Sequence, residues 1–200
     1  MIVLISGKQG AGKTTLSNKL MEKARLNRAY AYPTGFAAAM RVIVQGMHVL
    51  AKGQGCPIPE KIENRALMNF IATDWGRGMD PDFWIPPARK AIKSIQDLWK
   101  DQPFHLILID DFRCQNEAHA LDDLDQVYRI RLECPEEFRE KRAKYWGSPD
   151  HFSEVDLDGY DKFDLFLNTF LNTPDENADI AYESIIERVK GVINVSKEEC

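Results

Sequence analysis

Ile2-Val3-Leu4-Ile5-Ser6 runs straight into Gly7-Lys8-Gln9-Gly10-Ala11-Gly12-Lys13-Thr14, and the segment Lys13 to Leu26 follows. The first stretch is short, apolar and rich in β-branched residues, so it reads as a buried strand. The third carries Leu16, Leu20 and Ala24 at helical spacing. Between them the chain satisfies GxxxxGK[ST], a pattern that acquires meaning from this strand–loop–helix context. A phosphate needs several donors converging on one anion. Main-chain N–H groups supply them only where side chains do not block the approach, which is the work of Gly7, Gly10 and Gly12. The helix points its positive end at the same place. Lys13 is expected to reach the β- and γ-phosphates and the Thr14 hydroxyl to bind Mg²⁺. Ala11 and Thr15 complete the nucleotide-holding loop. Lys8 fits a solvated role as well as a phosphate contact.

Working outward, Ala29 to Tyr32 reads as a second short strand stopped by Pro33. Phe36 to Leu50 is helical in pattern, and Gly53, Gly55, Pro57 and Pro59 break it. Pro59 to Phe70 reads as a further helix, Gly76 to Pro87 as turn-rich, and Ala88 to Lys100 as helix again. No convincing strand lies between about 35 and 100, which fits an α-helical insertion. His105 to Ile109 is a clear buried strand ending in Asp110-Asp111. Asn116 is placed to cap a short helix to about Asp123. Val127 to Leu132 alternates as a strand does, and Pro135 suits the first turn of a helix to Trp146. Gly147 to Gly159 reads as loop, Phe163 to Leu167 as strand, and Pro174 onward as a final helix. Strands alternating with helices imply an α/β fold: a three-layer sandwich with a mainly parallel sheet covered on both faces. Ligands bind such sheets at the carboxyl ends of the strands. Ser6, Asp110, Asp111, Glu133 and Asn168 belong to that edge.

The whole chain is compatible with one domain: 200 residues, 44% hydrophobic and 28% charged, with a formal net charge of -5. The negative balance argues against a nucleic-acid polymer as partner. Cys56, Cys114, Cys134 and Cys200 are scattered with no CxxC pair, so a reducing cytoplasm is the simpler expectation. No signal segment or membrane span is legible.

Loops of this kind also serve GTPases, motors and helicases. A GTPase should carry NKxD, but Asn18-Lys19 continues as Leu20-Met21. A helicase tandem needs more chain. Kinases of small metabolites remain. Such enzymes depend on positioning and positive charge more than on proton chemistry. An acceptor that is itself a phosphate is mostly dianionic near neutral pH and needs no general base. What it needs is arginines that fork onto phosphate. Arg41, Arg65 and Arg77 suit the acceptor. Arg113 follows the acidic strand end, and Arg139 and Arg142, beside Lys141 and Lys144, form a lid-like cluster for the ATP phosphates. Asp110 and Asp111 are candidates for ordering Mg²⁺, with Thr14; adjacent strand residues point opposite ways, so either could serve.

Several segments together resemble one family. Thr73-Asp74-Trp75-Gly76-Arg77 followed by Asp82-Phe83-Trp84 resembles the GTEWGR…DFW segment of bacteriophage deoxynucleoside monophosphate kinases. Asp111-Phe112-Arg113-Cys114-Gln115-Asn116-Glu117 resembles their DxRxxNE element. His151-Phe152-Ser153-Glu154, with Leu157 and Phe163-Asp164, is similar to their HxSE…L…FD stretch, and Arg65-Ala66-Leu67-Met68 to the arginine before GTEWGR. The matches run in order from residue 7 to about 168. The resemblance implies ATP- and Mg²⁺-dependent phosphorylation of a deoxynucleoside monophosphate in the host cytoplasm. It assigns Arg65, Trp75 and Arg77 to the acceptor site. Asp111, Arg113, Asn116 and Glu117 would border the reaction centre, and His151, Ser153 and Glu154 the lid. Asp74 departs from the usual glutamate and Cys114 from an aromatic or apolar residue, which leaves base specificity open. Trp75 and Trp84 fit stacking on a base or packing in a core.

The resulting expectation is a core at residues 1–34 and 100–200, an acceptor-binding insertion at about 35–99 and a lid at about 135–162. Its partners are small-molecule nucleotides, and a homodimer is compatible with it. Two alternatives stay open: a kinase of another phosphorylated metabolite such as phosphomevalonate, and a non-catalytic nucleotide-binding switch.

Overall fold

The computed structural model describes residues 1–56, 65–102, 104–143 and 146–198, with the backbone alone for 65–66 and 192–198. Five strands form one sheet: β1 (Ile2–Gly7), β2 (Tyr30–Thr34), β3 (His105–Ile109), β4 (Val127–Glu133) and β5 (Leu165–Asn168). Their spatial order is β2-β3-β1-β4-β5, and every pairing is parallel. The sheet is thus wholly parallel, with β1 at its centre. Helices α1 (Lys13–Leu26), α2 (Ala38–Gly53), α3 (Arg65–Asn69), α4 (Ile85–Leu98), α5 (Gln115–His119), α6 (Glu136–Arg142), α7 (Phe152–Val155) and α8 (Pro174–Glu198) connect and follow the strands.

Burial on both faces explains the unbroken apolar runs in β1 and β3. Val3 and Ile5, with Leu106, Leu108 and Ile130, pack against Leu16, Leu20 and Ala24 of α1 and Ala178, Ala181 and Ile185 of α8. The alternate residues Ile2, Leu4, Ile107 and Ile109 face Ile85, Ala88 and Ile92 of α4 and Ala118 of α5. A smaller third core joins Met40 and Val44 of α2 to Ile71 and Trp84.

Several boundaries differ from the sequence reading. Pro33 does not stop β2; it pairs with Leu108 and the strand runs on to Thr34. As an edge strand, β2 serves only one ladder and tolerates a missing N–H. The expected helix from Pro59 is seen from Arg65 onward, and residues 57–64 lie outside those described. The stretch Phe70–Arg77 winds as a π-helix, so the chain is still helical at the start of the stretch from Gly76 that was expected to be turn-rich. Helix α4 starts at Ile85, with prolines in its first turn, where no amide is lost from the ladder. Cys114, not Asn116, is the N-cap of α5. Helix α6 stops at Arg142, and Lys144 is outside the described residues. Short α7 interrupts the expected loop after Gly147. Among the described residues, no helix is long and apolar enough to cross a membrane.

Leu4 is wholly inaccessible at the centre of the sheet. Leu4→Ala is expected to lower unfolding free energy by about 2–5 kcal/mol, read as a shift of the urea midpoint at unchanged slope.

Candidate active site

The loop after β1 needs two left-handed glycines, Gly10 at φ 78° and Gly12 at φ 96°. Gly10 also abuts the backbone of Arg139, so closely that a Cβ would collide with it. Gly12 is the N-cap of α1, and no side chain caps that helix, which leaves its first amides to an outside acceptor. Lys13 folds back along the loop: its Nζ donates to Gly7 O at 2.5 Å and to Lys8 O at 3.1 Å. Burial brings the Lys13 ammonium down to about 7; Arg113 and Arg131 push the same way, Glu154 and Asp110 against it.

A cavity of about 730 Å³ opens at the carboxyl edge of the sheet, beside this loop. Gly10, Gly12, Lys13, Thr14, Thr15 and Arg142 line one end. Arg41, Arg77, Asp111, Arg113 and Glu117 line the cavity too, with His151 and Glu154 from the segment that contains α7. Most of the residues singled out in the sequence therefore meet at one place. Six do not line the cavity: Gly7, Ala11, Asp110, Asn116, Trp75 and Arg139. Ala11 is instead fully buried in the core. The side chain of Arg65 lies outside those described.

Three carboxylates organise the cavity wall. Asp111 accepts from the amides of Phe36 at 2.9 Å and Ala37 at 3.1 Å, with Arg41 at 3.5 Å. This ties the start of α2 to the end of β3, and the Asp111 carboxylate leaves no room for a Cβ on Gly35. Burial raises its pKa, opposed by Arg41 and the two amides. Glu117 is almost wholly buried and accepts from Arg77 at 2.5 Å and from the amides of Arg113 and Cys114 at 2.8 and 3.0 Å. Burial pushes its carboxyl up to about 7 against the pull of Arg77. Arg77 also donates to Cys114 Sγ at 2.8 Å, where burial pushes the thiol up to about 12 and keeps it neutral. Glu154 accepts from Gln9 N at 2.5 Å and from Arg113 Nη1.

The segment from Pro135 to Tyr160 is laced to the loop below it. Arg139 is buried and donates to Cys134 O and Gln9 O, both at 3.1 Å, with its guanidinium over the Trp146 ring. This differs from the expectation of a phosphate-facing arginine: the side chain is spent on loop carbonyls and does not enter the cavity. Arg142 lines the cavity and donates to Thr169 O at 2.9 Å. Asp158 receives Lys8 at 2.7 Å and Arg131 at 2.9 Å, so Lys8 is paired rather than solvated.

The aromatic expectations also shift. Trp75 is exposed and packs edge-on against Phe83, away from the cavity. Trp84 lines the cavity while holding Ala72 O through its indole N–H at 2.9 Å. Asn116 points elsewhere, to Pro81 O and Asp82. Phe36, Met40, Met68 and Phe152 form apolar walls that the sequence reading did not assign; Met68 and Phe152 lie within quoted segments, but no motif marks Phe36 or Met40.

Thr14 offers an exposed hydroxyl in this cavity, an oxygen ligand of the type Mg²⁺ takes. Among the described residues no three His, Cys, Asp or Glu side chains cluster to hold a metal by themselves. The Asp111 oxygens are already shared between two amides and Arg41. The donor set therefore fits an ion brought by phosphate oxygens and water better than a resident one.

No family model and no curated protein sequence matches the chain. Solved structures do. A gluconokinase from Sinorhizobium meliloti 1021 matches at 10% identity and TM-score 0.51, over 97% of this chain and 96% of that one. The Mycobacterium tuberculosis APS kinase, solved with AMPPNP and APS, matches at 12% and 0.50, over 92% and 96%. A shikimate kinase from Acinetobacter baumannii, solved with shikimate, matches at 14% and 0.50, over 94% and 93%. The chain has the α/β fold of these P-loop kinases, with a five-stranded parallel sheet flanked by helices.

Burial brings the Lys13 ammonium down to about 7, whereas a bound triphosphate favours it, so ATP binding is expected to take up a proton above that pH. Calorimetry in buffers of different ionisation enthalpy is expected to show this uptake at about pH 8. It should be absent in Lys13→Arg, whose side chain stays charged, and ATP affinity should fall as pH rises above about 7.

Proposed function

We propose that the protein is an ATP-dependent kinase that phosphorylates a deoxynucleoside monophosphate to the diphosphate by direct in-line transfer. The observation that carries this is a single cavity in which a phosphate-binding loop with its lysine faces Arg41, Arg77 and Arg113. One end offers main-chain amides and an ammonium for a triphosphate; the other offers guanidinium groups for a second anion.

In this reading the donor triphosphate lies along Gly10 to Thr15, and Lys13 leaves the Gly7 and Lys8 carbonyls to meet it. Thr14 would hold Mg²⁺, which would supply charge neutralisation at the transferred group. Arg41 and Arg77 hold the acceptor phosphate, and the base lies between Phe36, Met40, Trp84 and Phe152. Arg113 stands between donor and acceptor and balances charge on the moving phosphoryl group. The acceptor oxygen is already anionic, so no residue has to remove a proton. Asp111, whose oxygens are engaged, serves as a brace rather than a base.

The assay is a coupled measurement of ADP formation over dAMP, dTMP, dGMP, dCMP, hydroxymethylated dCMP, phosphomevalonate, APS, shikimate and gluconate. Turnover with a deoxynucleoside monophosphate above all others is the expected result; preference for any of the last four would refute the substrate class. Lys13→Ala should nearly abolish turnover with the fold retained. Arg77→Ala should raise the acceptor KM more than about tenfold while leaving the ATP KM within about twofold.

A further inference from the structure

Glu154 holds the two groups that a transferred phosphoryl group would need. One carboxylate oxygen accepts from the Gln9 amide of the phosphate loop at 2.5 Å, and the other accepts from the Arg113 guanidinium. The side chain is nearly buried, 8% exposed, and it lines the main cavity. It is presented by α7, which His151 starts by accepting from the Ser153 amide.

The place of Gln9 within the loop says which phosphate is involved. Amides at the start of the helix cradle the α- and β-phosphates, and the lysine of this motif reaches the β/γ end. Lys13 reaches back to Gly7 O and Lys8 O, so the outer end of the anion lies beside Gly7 to Gln9, away from the helix. Arg113 comes from the other side, in the loop after β3 that also carries Asp111. The Glu154 carboxylate therefore lies at the outer end of the loop, on the side facing the acceptor.

Resting on the proposed donor site, we infer that Glu154 is an internal surrogate for the γ-phosphate. It occupies the Gln9 amide and Arg113 until a triphosphate displaces it, and its departure hands Arg113 to the donor. A diphosphate ends short of Gln9 and leaves the contact closed. Glu154 thus sets a penalty on ATP that ADP escapes. A residue that only anchored α7, or only aimed Arg113, would give the opposite sign: its loss would weaken ATP binding or leave it unchanged.

The test is calorimetric binding of MgATP and of MgADP, without acceptor, to the full chain and to Glu154→Gln. The variant is expected to bind MgATP at least ~10-fold tighter and MgADP within ~3-fold of the parent. Unchanged or weaker MgATP binding overturns the inference, and so does an equal gain for both nucleotides. Should Glu154→Gln not fold, Glu154→Asp draws the carboxylate back from Gln9, with the same direction expected and the same results overturning it. A parent protein that binds no MgATP would overturn the donor-site reading, and this inference with it.

Discussion

The buried ammonium of Lys13 is the constraint on which the site depends. Among the described residues its hydrogen-bond partners are two main-chain carbonyls, and no carboxylate pairs with it directly. An ammonium in such a position is costly to keep charged unless an anion arrives. The sheet makes that position unavoidable. Central β1 delivers the loop between β3 and β4, the core buries Ala11 beneath it, and α6 closes from the side through Gly10 and Arg139. The fold thus stabilises a cation-lined hollow whose energy improves when phosphate enters it.

The surrounding charges are arranged in pairs that keep the empty cavity from being a bare cluster of like charge. Glu117 neutralises Arg77 and fixes the backbone at Arg113; Glu154 neutralises the Arg113 side chain. Removing two charges from water costs several kcal/mol, and such pairs recover that only with good geometry and further hydrogen bonds. Both glutamates have those: each also accepts from main-chain amides. The arrangement spends stability on holding two arginines at fixed spacing beside the phosphate loop. A purely structural core would achieve more with apolar side chains.

How much of this could be read from the sequence depended on range. β1, the glycine loop and α1 are contiguous and their signals are local, so the sequence reading located them within a residue or two. β3 was legible for the same reason. The roles of single side chains were not, because they depend on which distant element lies opposite. Arg139 looked like a phosphate ligand until α6 packed it under Trp146 and onto Gln9 O. Trp75 and Trp84 are the same residue type; the first, within Phe70–Arg77, ends exposed, and the second, at the start of α4, lines the cavity. Asp110 and Asp111 differ only in parity, and the contact of Asp111 with Phe36 and Ala37 spans 74 and 75 positions in the chain. The apolar walls Phe36 and Met40 carry no motif at all, since any hydrophobe of the right size fills such a role.

Pro33 has one more effect. Open sheet rims invite other polypeptides to zip on, and a rim position lacking a hydrogen donor breaks the zipper. Here the ring sits in the rim strand itself, one residue before Thr34 ends it. The β2 strand thus carries one main-chain donor fewer than its length would allow.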